Sequence, residues 1–411
     1  MRTLPLLFAL AALALPAPAQ GPSVQTGIEV LREQKFAGLT GKRVGLITNP
    51  TGVDARLRST IDILFEAPGV RLVALFGPEH GVRGDHAAGD HVGAARDSAT
   101  GLPAYSLYGN TRKPTPEMLN GIDVLVYDIQ DIGCRSYTYI STMGLAMEAA
   151  AERGIGFMVL DRPNPLGGIR VEGPPVKHGF ESFVSGYPVP YVYGLTCGEL
   201  ASMLNGERML ARGIQCSLTV ISMKGWKREM NFASTGLPWV PTSPHIPEAS
   251  TPAHYVSAGM LGELGVVSEG VGYTIPFKVF AAPWIDPRGM AERLNGLGLA
   301  GVVFRPLVFR PFYGRSKDEE LRGVQIHFTG EGPEDLMGLQ FRFMEVHNDL
   351  YPGRNPFALA HPSRLTMFDR VAGTDSIRAL FTRRMKYADV AAELKRGVGE
   401  FRARSARYRL Y

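Results

Sequence analysis

Residues 122–161 read IDVLVYDIQDIGCRSYTYISTMGLAMEAAAERGIGFMVLD, and this stretch decides the fold. An apolar run over 122–128 has the length and β-branched content of a buried strand, 141–153 is a helix rich in Ala, Met and Leu, and 156–161 (GFMVLD) is a second buried strand. Strand, helix and strand in succession are the mark of a parallel sheet covered on both faces.

Working outward, residues 42–48 (KRVGLIT) and 70–76 repeat the strand pattern, with a helical segment over 59–66 between them. A doubly wound sheet follows. Each strand runs at its C-terminal end into polar and aromatic residues: Asn49-Pro50-Thr51-Gly52, then Gly77-Pro78-Glu79-His80-Gly81, then Gln130-Asp131-Ile132-Gly133 with Arg135, and last Arg162-Pro163-Asn164-Pro165. Open α/β sheets bind ligands in the crevice outside those ends, so the clusters predict one shared site.

The remainder has a different texture. A Pro-rich stretch covers 238–252, strand patterns cover 302–309 and 324–328, and helical patterns cover 335–350, 374–384 and 388–403. The expected organisation is an α/β domain over 24–225 and a smaller α+β domain over 226–411, with 173–190 as an alternative excursion of the first. The first 19 residues read as a secretory signal peptide: Arg2, an apolar run over 4–15, and Ala17-Pro18-Ala19 before a cleavage point after Ala19 or Gln20. An exported protein, periplasmic or extracellular and free of the membrane after cleavage, is therefore expected.

With 411 residues, 45% hydrophobic and 20% charged, the composition is that of a globular protein with ample core. The 3 cysteines, Cys134, Cys197 and Cys216, lack the spacing of a zinc site or a disulfide framework, though one bridge remains open. A net charge of +5 is scattered except for a basic end over 383–409, read as the solvated face of terminal helices, so no nucleic-acid partner is expected. The GxGxxG match over 296–301 follows a helix and precedes a strand, the reverse of the dinucleotide fingerprint, and neither a phosphate-cradling GxxxxGK[ST] nor a zinc-binding HExxH occurs. No cofactor and no metal are expected.

Chemistry concentrates in the strand-end turns. Glu79 stands on a Gly- and Pro-bounded turn beside His80, which aims a carboxylate into the crevice unless it merely caps the next helix or pairs with an Arg. YDIQDIGCRSYTY gathers Asp128, Asp131 and Arg135 with the ring hydroxyls of Tyr127, Tyr137 and Tyr139, a mixture suited to sugars, although an Asp128–Arg135 structural ion pair is the competing reading. Glycoside hydrolysis typically needs two carboxyl groups. Glu79 with Glu172, or Glu79 with Asp128, would supply them. Cys197 is expected at a helix start rather than as a nucleophile.

The ordered set GLITNPTG, LFGPEHGVRG, DIQDIGCRSYTY, LDRPNPLGG and EGPPV resembles the NamZ-type exo-β-N-acetylmuramidases, a family long known only as a conserved domain of unknown function. The resemblance runs from about Gly38 to the C-terminal RARSARYRLY and is most specific between Gly45 and Gly173. It implies a Rossmann-like domain, a smaller α+β domain closing a cleft, and release of N-acetylmuramic acid from the non-reducing ends of peptidoglycan fragments. Carried over residue by residue, it makes Glu79 the best catalytic candidate and places Asn49, Gln130, Asp131, Arg135, Tyr137, Tyr139, Asn164 and Glu269 at the substrate, with Glu172, Asp128 and His80 in the catalytic group. Two departures stand out: Val271 in SEGVGYTIPF where the family has Arg, and His245 in PTSPHIP where it has Asn.

The expected roles are Glu79 as general acid, Glu172 or Asp128 as base, nucleophile or orienter of the substrate acetamido group, and Arg135 as partner of the lactyl carboxylate. A β-N-acetylglucosaminidase, another wall hydrolase such as a deacylase, and a non-catalytic periplasmic sugar-binding protein are the rival readings.

Overall fold

The structure is a computed structural model that describes residues 23–79, 81–84 and 95–411. The signal-peptide reading and His80 lie outside the described residues.

The first half is built on β1 (Arg43–Thr48), β2 (Arg71–Gly77), β3 (Ala95–Arg96), β4 (Pro103–Ser106), β5 (Val124–Asp128), β6 (Gly156–Leu160) and β7 (Ser217–Ile221). They form a 7-stranded sheet in the order β3-β4-β2-β1-β5-β6-β7. All neighbours pair parallel except β3, which runs antiparallel to β4 at the edge. With β3 set aside, the chain steps outward from β1 through β2 to β4, then returns to the other side of β1 with β5, β6 and β7. The reversal lies between β1 and β5, and a ligand crevice belongs there.

The strands are buried on both faces because alternate side chains serve different cores. Leu46 and Val126 point to a cluster with Ile28, Leu31 and Leu64 from the helices Gly27–Glu33 and Thr60–Phe65. Their neighbours Ile47, Leu125 and Tyr127 point the other way, to Met143 and Met147 of the helix Tyr139–Arg153 and to Leu200 and Leu204 of the helix Cys197–Gly206. Thr196 caps this last helix by accepting from Glu199 N. Cys197 sits at its start, and Cys134, Cys197 and Cys216 are all buried free thiols, so the bridge left open by the sequence does not form.

In the second half β8 (Val279–Ala282), β9 (Val302–Phe309) and β10 (Leu321–Phe328) make a 3-stranded antiparallel sheet in the order β8-β10-β9. Its core includes Phe280, Val324, Leu261, Phe343 and Met344, and also Ile132, Cys134, Tyr191 and Val192 from the first half, so the halves share apolar packing.

The helix expected over 388–403 is interrupted. It is Tyr387–Val390, a 3-10 turn Glu393–Lys395 and Val398–Ser405, broken before the last piece by Gly397 at φ 73°. The basic end does expose Arg402, Arg404, Arg407 and Arg409, yet Phe401 is buried in the core of the first half. Tyr411 completes the return: its hydroxyl donates to Asp161 (2.8 Å) and accepts from Met223 N (2.8 Å), and its ring meets Trp226 edge-on at 5.1 Å. Tyr411→Ala is therefore expected to lower the unfolding free energy by about 2–4 kcal/mol, through lost hydrogen bonds and ring packing. Urea titration checks this, and an unchanged midpoint would contradict the anchoring.

Candidate active site

The turns after β1, β5 and β6 are knitted together by their own polar groups. Asn49 Oδ1 accepts from Thr51 N (3.0 Å) and Thr51 Oγ1 (2.5 Å), and Thr51 Oγ1 accepts from Gln130 N (2.8 Å). Gln130 Nε2 donates to Asp131 O (2.8 Å) and Pro163 O (2.7 Å), while Asn164 accepts from Leu166 N and donates to Leu195 O, each at 2.9 Å. The side-chain nitrogens of Gln130 and Asn164 thus build turns rather than wait for substrate. Asn49 differs, because its Nδ2 is buried without a well-formed hydrogen bond among the described residues and lies beside the Tyr139 hydroxyl.

Two expected roles are corrected by burial. Asp128 is fully buried and binds Arg162 Nε (2.5 Å), Arg162 Nη2 (3.0 Å) and Thr60 Oγ1 (2.5 Å), which makes it an anchor between strand ends rather than a base reaching a sugar. The ion pair imagined for Arg135 belongs to Arg162. Arg135 is itself fully buried and donates to Ser185 Oγ (3.1 Å), Pro174 O (2.8 Å), Val189 O (2.7 Å) and Val371 O (3.0 Å). A guanidinium so enclosed does not meet a lactyl carboxylate.

Glu79, by contrast, is half-buried just beyond β2. Tyr108, a residue carried past the end of β4, which pairs with β2 through Gly77 and Ser106, lies close enough to Glu79 for its hydroxyl to feel the carboxylate. Burial, and then Glu79, push the Tyr108 hydroxyl up to about 12, so it stays a donor. The charge of Glu79 is also felt by Tyr139, whose ring meets Tyr137 edge-on at 4.8 Å. Thr242 then closes the wall: Tyr137 hydroxyl and Thr242 Oγ1 are 2.8 Å apart, and Tyr139 hydroxyl donates to Thr242 O at 2.5 Å. The turns after β2 and β5 thus approach each other through Glu79 and Tyr139, with Thr242 of the Pro-rich stretch against the two tyrosines. Tyr108 and Thr242 were not anticipated, since β4 is only 4 residues long and carries no buried-strand pattern.

Asp131 lies behind these tyrosines. Its Oδ2 accepts from Gly133 N (2.7 Å) and from the Tyr193 hydroxyl, whereas its Oδ1 is buried without a partner among the described residues. Burial outweighs the hydrogen bonds and pushes this carboxyl up to about 7.

Glu172 and Glu269 face elsewhere. Glu172 binds Arg170 (2.6 Å) and Met337 N (2.8 Å), and burial raises its pKa. It lines a hollow of about 1400 Å³ between the halves, with Arg228, Arg342, Tyr387 and Arg402, and Glu79, Tyr108, Tyr137, Tyr139 and Thr242 take no part in that lining. In the same hollow Asp335 is also occupied, by Gly338 N (2.8 Å) and the Tyr387 hydroxyl (2.5 Å). Glu269 sits beside Gly262 and senses Arg315, Glu263 and Arg364, with its carboxyl raised by burial. Neither carboxylate is brought to Glu79.

The profile of the exo-β-N-acetylmuramidase NamZ N-terminal domain matches residues 44–250 and that of the C-terminal domain matches 253–411. This chain belongs to the NamZ family. Peptidoglycan β-N-acetylmuramidase NamZ of Bacillus subtilis (strain 168) is 44% identical over 393 residues, 96% of this chain and 92% of that protein. Among solved structures, a DUF1343 family protein of Bacteroides fragilis NCTC 9343 is 57% identical with a TM-score of 0.91, over 95% of this chain and 99% of the other. A second from the same strain is 30% identical with a TM-score of 0.76, over 94% and 99%. The Rossmann-like sheet with a smaller antiparallel domain is thus the fold of the NamZ family.

The state of Asp131 is testable through stability. Its folded pKa of about 7 lies above the value near about 4 of an unfolded Asp, so between these the folded chain holds the extra proton. Its contribution therefore falls as pH rises from 4 to 7 and is level above. Asp131→Asn, which keeps an acceptor, is expected to gain about 2–4 kcal/mol relative to wild type across that interval. Parallel stability-against-pH curves for the two proteins would contradict the assignment.

Proposed function

We propose that this chain is a glycoside hydrolase that releases terminal non-reducing N-acetylmuramic acid from peptidoglycan-derived saccharides, with Glu79 as general acid, and that residues 1–19 direct it out of the cytoplasm. The observation that carries the catalytic assignment is the setting of Glu79: half-buried just beyond the C-terminal end of β2, close to Tyr108 and within electrostatic reach of Tyr139, which packs with Tyr137 and Thr242. Family membership supplies the substrate.

The geometry suits protonation of a leaving oxygen. As general acid, the half-buried Glu79 carboxyl delivers its proton to the glycosidic oxygen as the bond from it to C1 breaks, and is left as a carboxylate. The sugar then passes through an oxocarbenium-like state that water captures at C1, the proton that water gives up restoring the Glu79 carboxyl, and nothing in this sequence of steps calls for a cofactor. Burial that excludes water strengthens each of these polar contacts. Asp128 and Asp131 fix the turns underneath, and Arg135 is assigned no contact with the lactyl group.

Glu79→Gln keeps the size of the side chain but has no acidic proton to give. Turnover on a muramyl glycoside is expected to fall at least about 100-fold with an unchanged melting temperature. Near-normal release of muramic acid would remove Glu79 from the mechanism. A wild-type preference for the corresponding glucosaminide would instead favour the β-N-acetylglucosaminidase reading.

A further inference from the structure

Between β9 and β10 the chain makes a long hairpin whose tip carries Phe312 and Tyr313, 55% and 39% exposed. Neighbouring rings left open to solvent are costly in apolar surface and mark contact sites. The hairpin is also held in a defined position. Phe312 N donates to Gly272 O (2.9 Å), and Gly272 adopts φ 100° with the Tyr313 carbonyl where a Cβ would stand, at 2.3 Å, so only glycine allows the approach. Tyr273 packs against the hairpin, with ring centroids 5.0 Å from Phe309 and 6.0 Å from Phe312.

The tip is joined to the Glu79 crevice by one short piece of chain. Thr242 binds both Tyr137 and Tyr139, and three residues on, the ring of His245 stacks on Tyr313 at 6.0 Å and 11°. Three residues of extended chain span at most about 11 Å, which bounds how far His245 stands from Thr242. Tyr313 keeps its 39% exposure with His245 already against it. His245 and Tyr313 thus form an aromatic shelf joined to the Tyr137–Tyr139–Thr242 wall by the short chain from Thr242.

We propose that this shelf is the subsite for the leaving group: the pyranose ring attached to muramic acid, an N-acetylglucosamine in a peptidoglycan disaccharide, lies on Tyr313 with Phe312 at its edge. The inference rests on the muramidase reading above. An apolar C–H face of a sugar suits an aromatic ring, and Tyr offers large amphipathic contact with little entropy to lose. A contact made equally before and during the reaction acts on KM rather than kcat. His245 gives the shelf its second ring.

The test compares two substrates, the disaccharide in which N-acetylmuramic acid is linked to N-acetylglucosamine and the methyl glycoside of N-acetylmuramic acid, which presents no second ring. Tyr313→Ala is expected to raise KM for the disaccharide about 10-fold, with kcat little changed and the methyl glycoside within about 2-fold of wild type. Tyr313→Phe, which keeps the ring, restores disaccharide KM. Equal effects on both substrates, or none on either, would overturn the subsite, as would failure of Tyr313→Phe to restore KM. A wild-type protein inactive on both substrates would instead overturn the muramidase reading and the subsite with it, whereas an active wild type with an indifferent Tyr313→Ala overturns the subsite alone.

Discussion

A fully buried guanidinium holds the two halves in register. Arg135 is charged at neutral pH, since burial pulls its pKa down only to about 10, and oxygens of Ser185, Pro174, Val189 and Val371 take the place of water around it. A buried charge is tolerated only when its donors are satisfied, and breaking such a cage leaves a cost of several kcal/mol. Because Val371 belongs to the second half and the other acceptors to the first, the cage exists only when the halves are docked. The shared apolar core makes the same demand less directionally.

From that docking follows the separation of polar groups into those that build and those that are free to react. Asp128 is consumed by Arg162 and Thr60, Gln130 and Asn164 by backbone oxygens, and Glu172 by Arg170 and the chain at Met337. Among the described residues, Glu79 is a half-buried carboxylate at the same sheet edge, close to Tyr108. Rigid surroundings suit it: a general acid is effective when its proton is aimed, and the fixed tyrosines beside it need no reorganisation as the sugar arrives.

The parallel sheet was legible because its central strands are continuous apolar runs, and the reversal between β1 and β5 places Asn49, Gln130 and Asp131 where strand-end residues are expected to gather. Edge strands were harder. Pro103–Ser106 is partly exposed throughout and Ser217–Ile221 alternates, so neither carries a buried-strand signal, and Tyr108 went unnoticed with the first of them. Residue type alone also failed to separate Arg135 from Arg162. Both stand on strand-end turns near Asp128, but which guanidinium reaches it depends on strand neighbours: β6 lies beside β5, so Arg162 meets Asp128 while Arg135 turns away into the interdomain contact. Glu172 was misplaced for a similar reason, since its strand-like pairing with Val192 points it to the other hollow.

The central claim is that catalysis occurs at the sheet edge where Glu79 stands and not in the larger hollow that Glu172 lines. The most direct measurement is a crystal structure of the Glu79→Gln protein with the muramyl disaccharide bound. The glycosidic oxygen is expected within about 2.6–3.2 Å of the substituted amide at position 79, with the sugar against Tyr137 and Tyr139. Sugar density confined to the hollow lined by Glu172, Arg342 and Tyr387 would contradict it.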